Sequence, residues 1–169
     1  MTDDRMKNGI LPVQQIRDEI TAGHIISSMP VTEAQLQPAS MDLRLGTRGW
    51  RVRSSFLPGH GTRVAQKLDK FAMHQIDLTD GAVLERGCVY IVELQESLSL
   101  PDTLAAMANP KSSTGRLDIF TRLITDGARE FESVADGYEG PLYAEISPRT
   151  FLFWCDQDLD CRNYGFGAA

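Results

Sequence analysis

The sequence predicts a mainly β domain, a barrel or sandwich entered through one short N-terminal helix. Three observations carry that expectation. Many short runs alternate in the manner of strands, Gly and Pro punctuate them at close intervals, and helical periodicity leads the chain. With 169 residues, 42% of them hydrophobic and 24% charged, the chain is long enough for one domain with a real core.

Taken in order, residues 10–23 read as an amphipathic helix. Pro12 suits its first turn, Val13, Ile16 and Ile20 share a face, and Gly23 terminates it. Asp42-Leu43-Arg44-Leu45 alternates up to Gly46, and Trp50-Arg51-Val52-Arg53 alternates again. Pro58, Gly59 and Gly61 mark residues 56–63 as a loop. His74-Gln75-Ile76-Asp77-Leu78 precedes a turn at Asp80-Gly81, and Ala82-Val83-Leu84 leads to Gly87. Residues 88–94 form the clearest strand, rich in β-branched and aromatic side chains. Residues 103–108, 117–124 and 141–147 are further strand candidates, and residues 127–136 read as a surface loop.

Charge and cysteine content exclude several classes of function. The formal net charge is -6 and no basic tract stands out, so duplex nucleic acid is not an expected partner. No apolar run is long enough to span a membrane, and the polar start at residues 1–8 leads into no signal-peptide core. Cys88, Cys155 and Cys161, odd in number and widely spaced, argue against a disulfide framework and suit a reducing cytoplasm. His24, His60 and His74 are scattered, and Cys155-x5-Cys161 has no histidine partner, so no metal ligands are assigned.

Two features carry chemistry. In Asn109-Pro110-Lys111-Ser112-Ser113-Thr114-Gly115-Arg116-Leu117, two cations and two hydroxyls surround a glycine that admits close backbone approach. The order is not that of a P-loop, but the same physics suits a phosphate chain; the other reading is a solvated turn. Glu145 stands in Leu142-Tyr143-Ala144-Glu145-Ile146, where the neighbours do not alternate cleanly. A carboxylate partly buried there can shuttle protons near neutral pH, whereas one on a half-exposed strand faces water. Asp42 and Arg44 read as a structural ion pair or as outward-facing charges.

Together these residues resemble a known family. Lys-Ser-Ser-Thr-Gly-Arg-Leu from Lys111, the Gly-Tyr-x-Gly turn at residues 137–140 and the strand carrying Glu145 resemble the dCTP deaminase and dUTPase superfamily. Ser40-Met41-Asp42-Leu43-Arg44-Leu45-Gly46 is similar to the early strand of dCTP deaminases. The resemblance covers residues 10–151 and is closest to the N-terminal half of double-length bacterial forms. It implies a distorted dUTPase-like β-barrel over residues 1–151, assembled as a homotrimer or its tandem-domain equivalent. It also implies hydrolytic deamination of dCTP to dUTP and ammonia, with Mg²⁺ on the triphosphate and no zinc. By position, Glu145, Arg116 and Ser112 fall on catalytic-motif residues, while Lys111, Ser113, Gly115, Thr125, Asp126 and Tyr138 fall on substrate-binding positions. Arg116 either orients Glu145 or binds phosphate. The other readings are a dUTP or dCTP pyrophosphatase and a non-catalytic nucleotide-binding half.

The chain departs from that pattern in three places. Thr125-Asp126-Gly127-Ala128 stands where the family has a base-contacting Ala-His pair, and Ala135 replaces the aspartate before the turn. Residues 152–169 lack strand alternation and read as an aberrant tail. Codons TTC-CTG-TTC-TGG-TGC-GAT for residues 151–156, with one base restored after the first, read Phe-Pro-Val-Leu-Val-Arg, as expected of the family. A single-base loss is therefore the expected origin of the tail, with an exposed sheet edge as its consequence.

Overall fold

The computed structural model describes residues 9–155 and the backbone of residues 167–168. Helix α1 (Val13–Ala22) opens the fold. Ile16 is its buried anchor, and Gly23 at φ +80° ends it, with backbone N–H bonds returning to Glu19 and Ile20. Strand β1 (Ile25–Ser27), a 3₁₀ turn (Glu33–Gln35), β2 (Leu36–Gln37), β3 (Ser40–Met41) and β4 (Leu45–Val52) follow. Helix α2 (Val64–Phe71), absent from the sequence expectations, comes next. The chain continues through β5 (Ala72–Asp77), β6 (Ala82–Leu84), β7 (Val89–Ser99) and β8 (Ala106–Met107). A single helical turn, α3 (Ser112–Arg116), precedes β9 (Ile119–Thr125), β10 (Ser133–Val134), β11 (Glu139–Pro148), β12 (Phe153–Cys155) and β13 (Gly167–Ala168).

The principal sheet is antiparallel, in the order β5-β4-β7-β11-β9, with β1 also paired to β7. Both of its faces are covered. Leu142, Ala144 and Ile146 of β11 join Val92 and Leu123 in one core, while Tyr143 joins Ile91, Ile124 and Val52 in another. This is why the apolar run around Glu145 does not alternate: both sides of the strand are buried. Helix α2 lays Val64 and Leu68 on the second face, beside Phe56.

Mainly β structure behind a short N-terminal helix matches the expectation. The barrel closure does not: the strands form one large sheet and three small ones, and its edge strands β5 and β9 are not paired to each other. Val64 and Leu68 of α2 and Phe56 of the preceding loop pack on the face of the large sheet that carries Ile91, Ile124 and Tyr143. Register jumps in β4 between Leu45 and Gly49, and in β11 between Pro141 and Tyr143, bend the sheet around them.

Of the two readings of Asp42 and Arg44, a structural ion pair or outward-facing charges, Arg44 meets the first with Glu96 as its partner. Arg44 Nε donates to Glu96 Oε1 at 3.0 Å, and its backbone N–H donates to Glu96 Oε2 at 2.8 Å. Glu96 is fully buried and also accepts Gln35 Nε2 at 3.1 Å. Arg44 further donates to the carbonyls of Met29 and Pro30 and to Ser27 Oγ, clamping the segment after β1. Asp42 instead accepts from Gln37 Nε2 at 3.2 Å and from Lys111 Nζ at 3.4 Å, so the two charges find separate partners.

The first residues of the tail form a strand. Phe153 and Cys155 point inward from β12 while Trp154 points out, and the strand pairs with β6. Most of the remaining tail, Cys161 included, lies outside the described residues. Gly46 offers a check on the sheet: a Cβ there would stand 2.7 Å from the Glu93 carbonyl oxygen, which is backbone and cannot swing away. Gly46→Ala is expected to cost about 1–3 kcal/mol, read as a lowered urea midpoint; an unchanged midpoint would mean that β4 and β7 part freely at the bulge.

Candidate active site

Antiparallel register sets Glu145 directly opposite Arg122 of β9 and Ile91 of β7. Directly paired residues lie close on one face, so their side chains meet. Arg122 Nη2 donates to Glu145 Oε1 at 2.5 Å and its Nε donates to the same oxygen at 3.1 Å. Glu145 is 1% exposed, and its Oε2 is buried with no hydrogen-bond partner among the described residues. One oxygen is thus anchored and the other is left open. A buried polar atom without a partner is rare in folded proteins and is a place to look for a ligand.

Arg122 is held on several sides. Nη2 also donates to Ser55 Oγ at 2.9 Å, and the guanidinium carbon lies 3.7 Å from the Phe131 ring centroid and 4.8 Å from that of Phe120. Aromatic faces stabilise a partly desolvated cation, so these rings fix the guanidinium on Glu145. Glu132 stands on the same loop as Phe131. Its Oε2 accepts the Leu123 N–H at 3.2 Å, and burial pushes its carboxyl up to about 7. Arg122 pulls that value down and Glu145 pushes it up, so both act on Glu132. Residues 127–136 are therefore more than a surface loop: they supply a wall and a carboxyl to the Glu145 cluster.

Thr125, Asp126 and Tyr138 come together beside it, lining a cleft of about 230 Å³ with Gly127, Ala128 and Ser133. Asp126 Oδ1 accepts the N–H of Val64, the first residue of α2, at 2.7 Å. The Tyr138 hydroxyl accepts the Asp126 N–H at 3.1 Å and donates to the Pro141 carbonyl at 2.6 Å. Desolvation raises the Tyr138 phenol far above its usual range, so it acts as a neutral hydrogen-bonding group. The loop before α2 is tied to the same turn, through Gly59 N–H to the Ala128 carbonyl and Gly127 N–H to the Thr62 carbonyl.

Residues 111–116 form a separate group. Only Thr114 of this stretch is buried; Lys111, Ser112, Ser113, Gly115 and Arg116 are exposed. Lys111 Nζ reaches Asp42 Oδ2 at 3.4 Å. No hydrogen bond or ion pair among the described residues joins this stretch to Glu145, so Arg122, not Arg116, orients the glutamate in this chain. No three His, Cys, Asp or Glu side chains converge as a metal site among the described residues. No helix there is long and apolar enough to cross a membrane.

The chain as a whole has counterparts among known proteins. Residues 7–159 match the 2'-deoxycytidine 5'-triphosphate deaminase (DCD) N-terminal domain. The chain belongs to the dCTP deaminase family. A curated relative from Streptomyces avermitilis, "dCTP deaminase, dUMP-forming", is 30% identical over 138 residues, covering 82% of this chain and 68% of the relative. Another of the same name, from Parafrankia sp., is 33% identical over 138 residues, covering 82% of this chain and 65% of its own length. The solved structure of a 2'-deoxycytidine 5'-triphosphate deaminase from Agrobacterium tumefaciens superposes with a TM-score of 0.89 at 52% identity. That match covers 95% of this chain and 47% of the solved one, so this chain spans about half its length. An N-terminal unit of a double-length dCTP deaminase is consistent with both findings.

Sequence reasoning singled out Glu145, Thr125, Asp126 and Tyr138 but missed Arg122, Phe131 and Glu132, which the structure brings to the Glu145 cluster. Arg122 carried a faint signal, the one basic residue within a largely apolar strand candidate. Pairing it with Glu145 requires the register of β9 on β11, which no local pattern supplies.

Proposed function

We propose that this unit hydrolytically deaminates dCTP, with Glu145 as the proton shuttle. The observation that carries this reading is the buried Glu145 carboxylate, with Oε1 held by Arg122 and Oε2 open. Water bound at Oε2 gives one proton to Glu145 as its oxygen bonds to C4 of cytosine, and Glu145 passes that proton to N3. Glu145 then carries the second proton of the former water to the amino group. The C4–N4 bond breaks, ammonia leaves and the uracil carbonyl forms. Zinc has no role in this scheme.

Thr125, Asp126 and Tyr138 line the cleft that receives the nucleoside. Lys111, Ser112, Ser113, Gly115 and Arg116 take the triphosphate, which arrives with Mg²⁺ as part of the substrate. The exposure of that stretch, apart from Glu145, supports a site completed between units: the phosphate-binding turn of one faces the Glu145 pocket of the next. A homotrimer, or a tandem pair standing in for two subunits, meets that need. We place the enzyme in the cytoplasm, where its nucleotide substrate and its thiols both fit.

Chemistry at Glu145 alone releases dUTP. The relatives named "dUMP-forming" favour a second reading, in which a further water cleaves the triphosphate and releases dUMP and pyrophosphate. Purified protein incubated with dCTP and Mg²⁺, followed by chromatography, tests both. Release of dUTP is the expected result, and dUMP with pyrophosphate would establish the second. Formation of dCMP without uracil products would make the protein a pyrophosphatase. Tight dCTP binding without turnover would make it a non-catalytic half.

A further inference from the structure

We propose that Ser55 and Phe131 are positioning residues of the site: from two loops they hold Arg122 in the orientation that directs both of its donors to Oε1 of Glu145 and keeps Oε2 open for water. The inference rests on the deaminase reading of Glu145. Neither residue lies in the 111–116 or 137–140 stretch or touches Glu145 itself.

The shape of the Arg122–Glu145 pair motivates it. Nε and Nη2 form the edge of a guanidinium that grips a carboxylate as a fork, one N–H to each oxygen. Here both donate to Oε1, at 3.1 and 2.5 Å, while Oε2 is buried with no partner among the described residues. A free pair would close the fork, because a buried oxygen left unpaired is costly. Something must therefore hold the guanidinium off it.

Two contacts do so. Nη2 also donates to Ser55 Oγ at 2.9 Å, so that this donor is shared between the hydroxyl and the carboxylate. The Phe131 ring centroid lies 3.7 Å from the guanidinium carbon, close enough to fix the plane of the group by cation–π attraction. Phe120 stands farther away, at 4.8 Å, and is itself exposed.

Both holders are themselves fixed. Ser55 precedes Phe56, which is buried with its ring 5.3 Å from that of Phe71 in α2. Phe131 packs against the core that contains Phe56, Val64 and Tyr143. The two loops are tied to each other through Gly59 N–H to the Ala128 carbonyl at 3.0 Å and Gly127 N–H to the Thr62 carbonyl at 2.9 Å. The clamp on Arg122 is thus built into the fold from segments far apart in sequence.

Two arms test this on the full chain. In the first, crystal structures of the wild type and of the double variant Ser55→Ala with Phe131→Leu are compared. Leucine keeps much of the apolar volume against the core and removes the π face. With both holders gone, Arg122 is expected to close the fork, one donor on each Glu145 oxygen. In the second arm, kcat and KM for dCTP are measured for single variants. Phe131→Leu is expected to lower kcat by about 5–30-fold, the worth of a desolvated cation–π contact, and to leave KM within about twofold. Phe131→Tyr, which keeps the ring, is expected to stay within about threefold of wild-type kcat. Ser55→Ala, at an exposed position with little risk to folding, is expected to lower kcat by about 2–10-fold. An Arg122 that still bonds only Oε1 in the double variant would overturn the proposal, as would a Phe131→Tyr that falls as far as Phe131→Leu. If the wild type does not turn over dCTP, the deaminase reading fails, and the crystal structures still decide whether Ser55 and Phe131 set the orientation of Arg122.

Discussion

Glu145→Gln is expected to lower kcat for dCTP deamination by about 10²–10⁴-fold, the usual worth of a positioned acid/base group. The substitution keeps the shape of the side chain. Its amide oxygen can still accept from Arg122, which now donates to Oε1 through both Nε and Nη2. Arg122 also keeps Ser55 and the Phe120 and Phe131 rings, so the guanidinium is not stranded. What is lost is the ability to take a proton from water and return it twice in one turnover. Product chromatography reads the rate, and thermal melting beside it reports whether the fold persists. A well-folded Glu145→Gln that retains more than about a tenth of wild-type kcat would sink the assignment.

Arg44→Ala is expected to destabilise the fold by about 3–5 kcal/mol, enough to leave a marginal domain largely unfolded. Its partner Glu96 is fully buried and would keep only Gln35, one backbone N–H and a weak contact to Ser27. The loss arises from an uncompensated buried charge more than from the contact itself. The double variant Arg44→Met with Glu96→Leu separates the two, because an apolar pair of similar volume is often neutral against a buried ion pair. Urea denaturation should show a large loss in the single variant and substantial recovery in the double. Failure to recover would assign the loss to the carbonyls of Met29 and Pro30, which Arg44 also holds. Two residues before Arg44, the Asp42 carboxylate accepts from Lys111 Nζ at 3.4 Å.

Local patterns made much of this protein legible before any coordinates. The spacing of Val13, Ile16 and Ile20 and the closing Gly23 marked α1 to within a few residues. Strand composition marked the core of β7, and the run around Glu145 marked residues 141–147 as a strand candidate whose imperfect alternation suggested partial burial. Helix α2 escaped notice although Val64, Leu68 and Phe71 keep helical spacing; only two turns long, it passes directly into β5.

Residue types and their order along the chain were sufficient for the family and the mainly β class. Tertiary structure alone decided which charges meet. Arg122 reaches Glu145 through strand register, Arg44 finds Glu96 and not Asp42, and Glu132 enters the site by a loop that looked solvated. The physical reason is one of range. Periodicity, caps and turns act over a few neighbouring residues, whereas pairing across a sheet depends on register, and a shift of one residue turns every side chain to the opposite face.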